Sequence, residues 1–166
     1  MTEPSEWSVA SRVPSLVDQR LSVISRREPL TVPPGTPLRE CLSLIRRSGM
    51  GDSVFVTDRE GRLLGVLTER DIFAQLVGTD ADLSAPVEER MNRQPRTLRL
   101  EETVRQAMAL MQTGRYRNIP IIDDEGRLVG VVRPVDVLRF LAEAFPEELL
   151  NLPPRPHQAA QASEGA

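Results

Sequence analysis

An internal repeat is the feature that most constrains how this chain of 166 residues folds. Residues 58–71 (DREGRLLGVLTERD) align without gaps on residues 123–136 (DDEGRLVGVVRPVD), with identical residues at eight positions. Upstream, Pro29 and Thr31 correspond to Pro95 and Thr97. The chain therefore contains two copies of a unit of about sixty residues. Because one unit of that size buries too little apolar surface alone, we expect the two to pack against each other.

Each copy contains the same predicted first helix. Apolar residues recur at i, i+3, i+4 and i+7 within residues 37–48 and again within 102–113, which is typical of a helix with one buried face. Thr36 is a candidate start signal for the first helix, and residues 101–103 are candidates for the second. A short extended piece is expected before each helix.

A predicted hairpin and a second helix complete each copy. Two apolar runs flank an Asp-x-Glu-Gly turn in residues 54–67 and in residues 119–132, and this pattern predicts a β-hairpin. Helices are predicted at 69–77 and at 134–145, the latter starting with Pro134, which suits a first turn. The expected fold class is α/β, with two tandem β-α-β-β-α repeats related by pseudo-twofold symmetry.

The same pattern divides the chain into four parts. Residues 1–19 form an N-terminal segment, 20–78 the first repeat, 79–145 the second repeat, and 146–166 a tail rich in Pro and Ala. The polar link at 78–86 is expected to be a flexible surface connection. Apolar residues near the N-terminus are expected to lie on the core as a short amphipathic segment: Trp7, Val9, Val13, Leu16, Val17 and Leu21.

Composition excludes several enzyme classes. All 21 basic residues are Arg, so the chain forms no Schiff base with pyridoxal phosphate and has no P-loop lysine. The single His, His157, lies in the tail, which argues against His-dependent catalytic triads and His-based metal sites. The single Cys, Cys41, provides neither a disulfide framework nor a thiolate cluster. We therefore expect no enzymatic activity and no metal site.

Charge and hydropathy restrict the partners and the location. A net charge of −3 and a pI near 5.3 provide no overall positive field for nucleic acid. No apolar run approaches the roughly 20 residues that span a bilayer, and the N-terminus lacks the apolar core of a signal peptide. We expect a cytoplasmic protein that binds neither nucleic acid nor membranes.

The most informative sequence motifs are GVLTERD, residues 65–71, and GVVRPVD, residues 130–136. In each motif a strand gives way to a helix whose first turn contains an Asp. Thr68 is a natural N-cap, and its hydroxyl together with the N–H groups of the helix start also suits a phosphate. Asp71 could accept hydrogen bonds from two ribose hydroxyls. The alternative is purely structural, because such a cap stabilises a helix by about 0.5–2 kcal/mol without any ligand.

The complete pattern closely resembles the CBS domain. It consists of Pro-x-Thr-Val, an amphipathic helix, an apolar strand, and Asp-x-Glu-Gly-x-Leu-x-Gly-Val-Leu-Thr-x-x-Asp. The tandem resembles a CBS domain pair, or Bateman module, over residues 20–145. This resemblance implies a compact α/β pair with two related clefts between the repeats. It also implies a sensor, because members of the family typically bind AMP, ADP, ATP or S-adenosylmethionine in those clefts.

The resemblance also implies roles for individual residues. Asp71 and Asp136 match the ribose-binding position, and Thr68 matches the hydroxyl that meets a phosphate, where the second repeat departs from the family with Arg133. The other matching positions line the base pocket, lie on the adjacent strand or face the phosphates, and they are Thr31, Thr97, Phe55, Pro120, Arg117 and Asn118.

The two sites are therefore expected to be unequal. The first-repeat site keeps both Thr68 and Asp71, and we expect Arg117 and Arg133 to approach the ligand phosphates across it, because the planar Arg fork suits phosphate oxygens. The second site keeps Asp136 but has Arg133 and Pro134 at the junction. It is expected either to be empty or to prefer a more anionic ligand.

The sequence thus indicates a stand-alone regulatory module that binds an adenine nucleotide or another adenosyl ligand between its repeats. It requires no cofactor, and any regulated protein is a separate chain. The family further suggests a homodimer joined through helices at the edge of the module. The alternative is an interaction module whose clefts bind no ligand and which serves dimerisation or docking on a partner protein.

Overall fold

The computed structural model describes residues 15–25, 28–49, 53–76, 82–114 and 116–144. The predicted tail at 146–166 and the N-terminal apolar residues Trp7, Val9 and Val13 lie outside these described residues.

The first repeat has the predicted order of elements. Strand β1 (Thr31–Val32) precedes helix α1 (Leu38–Ser48), strands β2 (Ser53–Thr57) and β3 (Leu63–Thr68), and helix α2 (Glu69–Leu76). The sheet order is β1-β2-β3, with β1 parallel and β3 antiparallel to β2. The chain therefore crosses from β1 to the parallel strand β2 through α1 and then forms a hairpin from β2 to β3. The crossover places α1 on the apolar face of the sheet.

The second repeat follows the same path. It contains helix α3 (Val104–Gly114), strands β4 (Ile119–Ile122) and β5 (Leu128–Val132), and helix α4 (Pro134–Ala144). In place of a counterpart to β1, Leu98 forms an isolated parallel bridge with Ile121 of β4. The predicted α/β class and the tandem repeat are confirmed.

The two hairpin turns explain the repeated Asp-x-Glu-Gly words. The Oδ1 atom of Asp58 accepts hydrogen bonds from the backbone N–H groups of Glu60 (3.0 Å) and Arg62 (2.8 Å). Asp123 does the same in the second turn, at 3.1 and 2.8 Å. The turn glycines Gly61 and Gly126 have φ values of 81° and 79°, a left-handed conformation that favours glycine.

The repeats join through these hairpins in a symmetric way. The N–H of Leu63 donates to the carbonyl of Gly126 at 3.0 Å, and the N–H of Leu128 donates to the carbonyl of Gly61 at 2.9 Å. Behind this junction, Phe55 packs with buried apolar side chains of both repeats. The reciprocal bonds are those expected for a pseudo-twofold relation between the two copies.

The link between the repeats packs on the first repeat. The first free N–H groups of α1, those of Leu38 and Arg39, donate to the carbonyls of Ala85 (3.0 Å) and Leu83 (2.9 Å). A 3₁₀ helix, Val87–Glu89, follows within the predicted helical turn at 87–91, and Val87 is fully buried in the first core. The link was expected to be a flexible surface connection, but its described part caps a helix and contributes to the core.

The segment at the start of the first repeat packs, in turn, on the second repeat. Leu21, at the start of a 3₁₀ helix (Leu21–Val23), is fully buried in the second core together with Ile24. Its N–H donates to the carbonyl of Glu102 at 2.7 Å, and the N–H of Val104 donates to the carbonyl of Gln19 at 2.9 Å. Each core is therefore completed by a segment from outside its own repeat.

Close approach explains the glycines that recur at the same position of β3 and β5. A Cβ atom on Gly65 would lie 2.6 Å from Sδ of Met91 and 2.9 Å from the carbonyl oxygen of Asn92. A Cβ atom on Gly130 would collide with Oγ of Ser25. Only glycine lets residues 91–92 lie this close to β3, and Ser25 this close to β5.

The helix starts follow the sequence signals in part. Thr103 begins α3 with a reciprocal cap, in which its N–H donates to Oε1 of Gln106 at 2.7 Å and its Oγ1 accepts from the N–H of Gln106 at 3.3 Å. Thr36, the candidate start signal for α1, instead donates its hydroxyl to the carbonyl of Pro33 at 2.7 Å. This difference arises because backbone carbonyls of the link already accept from the first N–H groups of α1.

Candidate functional site

A cavity of about 200 Å³ lies between the two repeats, at the junction of β3 and α2. Four of the residues predicted to bind a ligand line it together: Thr68, Asp71, Arg117 and Asn118. The first two come from the first repeat, and the other two precede β4 of the second. The fold thus brings together side chains that are about fifty residues apart in the sequence.

The local structure at Thr68 positions the carboxylate of Asp71. The Oδ2 atom of Asp71 accepts hydrogen bonds from the N–H (2.9 Å) and the hydroxyl (2.7 Å) of Thr68, and the N–H of Asp71 donates to Oγ1 of Thr68 at 3.1 Å. This is the reciprocal cap of a helix start, so Thr68 is confirmed as the N-cap of α2. Among the residues that the structure describes, no donor is bonded to Oδ1 of Asp71.

Three exposed Arg residues give the cavity its charge. Arg70, Arg96 and Arg117 line it together with a single carboxylate, that of Asp71. Within the described parts of the chain, none of these three guanidinium groups forms an ion pair. Three uncompensated positive groups around one acceptor produce a local field suited to an anion that also carries hydroxyl donors.

The remaining wall combines apolar and amide groups. Val66 and Pro95 provide apolar surface, and Asn92 provides an amide at the point where its backbone pairs with Val66. The ring of Tyr116, about one third exposed, lies against the backbone of Gly114 at the end of α3. The cavity therefore presents one aromatic ring and a short apolar wall beside its charged groups.

Other predicted site residues lie near the cavity but do not line it. Phe55 is 2% exposed and packs with Val66, so it lies behind the wall. Pro120, its counterpart on β4, is also fully buried. Thr97 is half-buried and directly follows the lining residue Arg96. These three residues support the site rather than form its surface.

Thr31 lies in a different place. It lines a second, more open depression, together with Ser25, Glu28, Pro29 and Thr57. Thr31 is paired with Phe55 in the sheet, as expected for the extended entry to the first repeat. The depression contains one carboxylate and, among its described lining residues, no basic side chain.

Arg133 and Asp136 form a buried ion pair. The Nε atom of Arg133 donates to Oδ2 of Asp136 at 3.1 Å, and Nη2 donates to Oδ1 at 3.2 Å. Their side chains are only 11% and 7% exposed. We expected Arg133 to extend toward ligand phosphates across the first site, but it does not line that cavity. The carboxylate of Asp136, three residues further along the chain, accepts the hydrogen bonds of the Arg133 guanidinium group instead.

Sequence reasoning missed several lining residues. Arg70 lies two residues after Thr68 in the first turn of α2, and Arg96 immediately precedes Thr97. Their positions beside predicted residues were the available signal. Tyr116 had the same signal, because it directly precedes the predicted residue Arg117. Asn92 gave no such signal, because only the pairing of its backbone with Val66 of β3 places it at the cavity.

Other chemistry is sparse among the described residues. Burial raises the pKa of the Cys41 thiol to about 11, with a further contribution from the nearby Glu40 carboxylate, so this thiol is an unreactive core group. In the described ranges, no cluster of three or more His, Cys, Asp or Glu residues could hold a metal ion. No described helix is long and apolar enough to cross a membrane.

Comparison with known proteins gives consistent results. The CBS domain family model matches residues 21–78 and 87–143. An uncharacterized 17.7 kDa protein of Acidianus ambivalens is 28% identical over 75% of this chain and 74% of its own length. The magnesium transporter MgtE of Thermus thermophilus is 32% identical over 75% of this chain, but the match spans only 27% of the transporter.

A solved structure has the same architecture. A CBS domain protein of Pyrobaculum aerophilum complexed with AMP superposes with a TM-score of 0.65 at 27% identity, and the match covers 75% of this chain and 99% of that one.

Proposed function

Because the chain belongs to the CBS domain family, with one repeat on either side of the Thr68–Asp71 cavity, we propose that it is a regulatory module that binds an adenosyl ligand in this cavity. The candidate ligands are AMP, ADP, ATP and S-adenosylmethionine. The related protein of Pyrobaculum aerophilum is described as complexed with AMP, which supports an adenine nucleotide.

One observation carries the proposal: a carboxylate oxygen that has no donor, and three guanidinium groups that have no ion-pair partner, among the residues that the structure describes line the same cavity. In the proposed complex, Oδ1 of Asp71 accepts hydrogen bonds from ribose hydroxyls while Oδ2 remains bonded to Thr68. Arg96 and Arg117 bind phosphate oxygens, with Arg70 at the start of α2. Because Thr68 already fixes the carboxylate of Asp71 without a ligand, this group needs little reorganisation on binding.

The charge of the cavity favours phosphate-bearing ligands. Three Arg side chains face one Asp, so the lining has an excess of positive charge. The phosphates of AMP, ADP or ATP compensate this charge, whereas the sulfonium of S-adenosylmethionine adds to it. We therefore rank the adenine nucleotides above S-adenosylmethionine.

In the proposed function, ligand binding regulates a protein rather than catalysing a reaction. The family matches occupy most of the described chain, and in the transporter the same region is only a part of a longer protein. Because residues of both repeats line the cavity, a ligand bound there favours one relative position of the repeats. A partner that senses this position would be regulated.

A second candidate is a ligand-free interaction module, and exposed apolar side chains on two helices favour it. Phe73 on α2 is 54% exposed, and Val135 and Leu138 on α4 are 46% and 65% exposed. Such a surface suits a homodimer joined through these helices. Dimerisation is also compatible with the sensor, so only ligand binding separates the two candidates.

Thermal unfolding of the full chain tests the proposal. A ligand that binds the native state raises the melting temperature by mass action. We expect AMP, ADP or ATP at millimolar concentration to raise it more than S-adenosylmethionine, with adenosine and inorganic phosphate as controls for the two halves of the ligand. A melting temperature unchanged by every adenosyl compound would overturn the sensor. A stable dimer under those conditions would then favour the interaction module.

A further inference from the structure

The two strand-to-helix junctions share one local frame. The N–H of Thr68 donates to Oδ2 of Asp71 at 2.9 Å, and the N–H of Arg133 donates to Oδ2 of Asp136 at 3.0 Å. In both repeats, therefore, an Asp in the first helical turn bonds back to the residue at the end of the strand. The two carboxylates are held in equivalent places.

The second carboxylate differs because its outer oxygen is occupied. Nη2 of Arg133 donates to Oδ1 of Asp136, while Nε donates to Oδ2, so the guanidinium group covers both oxygens. Its counterpart Thr68 donates to Oδ2 of Asp71 and, among the described residues, leaves Oδ1 without a donor. The acceptor that is available in the first repeat is thus occupied in the second.

This occupancy opposes a ligand because the pair is joined by two hydrogen bonds and is buried. Both side chains are nine-tenths buried or nearly so. Ribose hydroxyls are neutral donors, and they would have to replace two charge-assisted hydrogen bonds. The displaced guanidinium group would then lose its carboxylate partner in a buried position. No such exchange is needed at Asp71.

We infer that Arg133 closes the second cleft from within, so that each chain binds one adenosyl ligand, at Asp71, and none at Asp136. The inference rests on the proposed function. Arg133 is a specificity residue here, because its side chain occupies the position that a ribose would take.

A reciprocal exchange of side chains tests the inference. Arg133→Thr gives the second junction the sequence pattern of the first, and its hydroxyl can bond to Asp136 as Thr68 bonds to Asp71, so the start of α4 keeps a cap. Thr68→Arg places the same guanidinium group beside Asp71. In the double variant Thr68→Arg/Arg133→Thr, the carboxylate of Asp71 is bound by a guanidinium group and that of Asp136 is available to a ligand, so the expected ligand site moves from the first repeat to the second.

Equilibrium dialysis with AMP and with ATP, together with circular dichroism of each variant, measures the number of ligands per folded chain. We expect one for the wild type, two for Arg133→Thr, none for Thr68→Arg, and one for the double variant. Two ligands on the wild type, or a folded Arg133→Thr variant that still binds one, would overturn the closure. If Arg133→Thr does not fold, a Thr68→Arg variant that keeps full binding overturns it and one that loses binding supports it.

The same measurements separate this inference from the proposed function. A wild type that binds no nucleotide refutes the proposed first site. If Arg133→Thr then binds one nucleotide, the closure still holds. If the wild type and all variants bind none, both the proposed function and the closure fail.

Discussion

Asp71 and Asp136 occupy the same position in the two repeats, but only the carboxylate of Asp136 is bound by a guanidinium group. The guanidinium group of Arg133 bonds to both oxygens of Asp136, whereas the carboxylate of Asp71 is bonded, among the described residues, only to the cap residue Thr68 and only through Oδ2. Equivalent residues in a tandem repeat have thus acquired different surroundings. The difference predicts that one contributes to ligand binding and the other to stability.

Replacing each Asp by Ala should have opposite consequences. Asp71→Ala should weaken nucleotide binding at least tenfold, a loss of about 1.4 kcal/mol, with a smaller effect on folding that comes from the lost cap. Asp136→Ala should leave binding near the wild-type value but destabilise the chain by about 2–3 kcal/mol, because it leaves Arg133 buried without its carboxylate. Calorimetric titration and urea unfolding measure the two effects. Equal losses of affinity would contradict this assignment.

The Arg residues of the cavity should distinguish ligands by their phosphates. Arg117→Gln and Arg96→Gln should each weaken ATP binding by about three- to tenfold, in line with the loss of one charge-assisted hydrogen bond. Adenosine binding should change little. Arg59→Gln is a matched control, because Arg59 is exposed in the turn between β2 and β3, outside the cavity. An equal loss for adenosine and ATP would show that these side chains do not bind phosphates.

Gly65 should be intolerant of a side chain. Gly65→Ala places a methyl group 2.6 Å from Sδ of Met91 and 2.9 Å from the carbonyl oxygen of Asn92, so residues 91–92 must move away from β3. Overpacking of this kind costs about 1–3 kcal/mol. Urea unfolding should show that loss, whereas Leu64→Ala, at an exposed neighbouring position, should have little effect. Unchanged stability of Gly65→Ala would mean that residues 91–92 are not held against β3.

The Asp18–Arg105 pair predicts a pH dependence of stability. Hydrogen bonds and charge from Arg105 lower the pKa of Asp18, so the folded chain favours the ionised carboxylate. A lowered folded pKa means that the stabilisation is present above the unfolded value, near 3.9, and disappears as the pH falls through the folded value. The pair is exposed, so its effect should be small and should decrease with added salt.

Asp18→Asn measures this contribution. Its melting temperature should be lower than that of the wild type at pH 7, and the two should converge below pH 4, roughly where Asp side chains protonate. Arg105→Gln should show the same convergence. A difference that persists unchanged at low pH would indicate that Asp18 stabilises the segment through packing rather than charge.

The fold was largely predictable because its signals are local. The repeat, the helical spacing in α1 and α3, and the Asp-x-Glu-Gly turns each depend on a few neighbouring residues, and the hairpin predicted in residues 119–132 agrees with the structure. The cap of Thr68 on α2 was predictable for the same reason. Thr36 was misread, because carbonyls of the link, about 45 residues further along the chain, bind the N–H groups that it was expected to cap.

The sequence by itself determined that two similar units follow one another, that each places an Asp in a first helical turn, and that no Lys is present to bind a phosphate. Those properties depend on residue identity and short spacing. Only the tertiary structure decided that Arg70, Arg96 and Arg117 meet at Asp71, and that Arg133 turns onto Asp136. The position of a long charged side chain depends on which opposite charge lies within its reach and on how deeply that side chain is buried. Both properties are determined only when the chain folds.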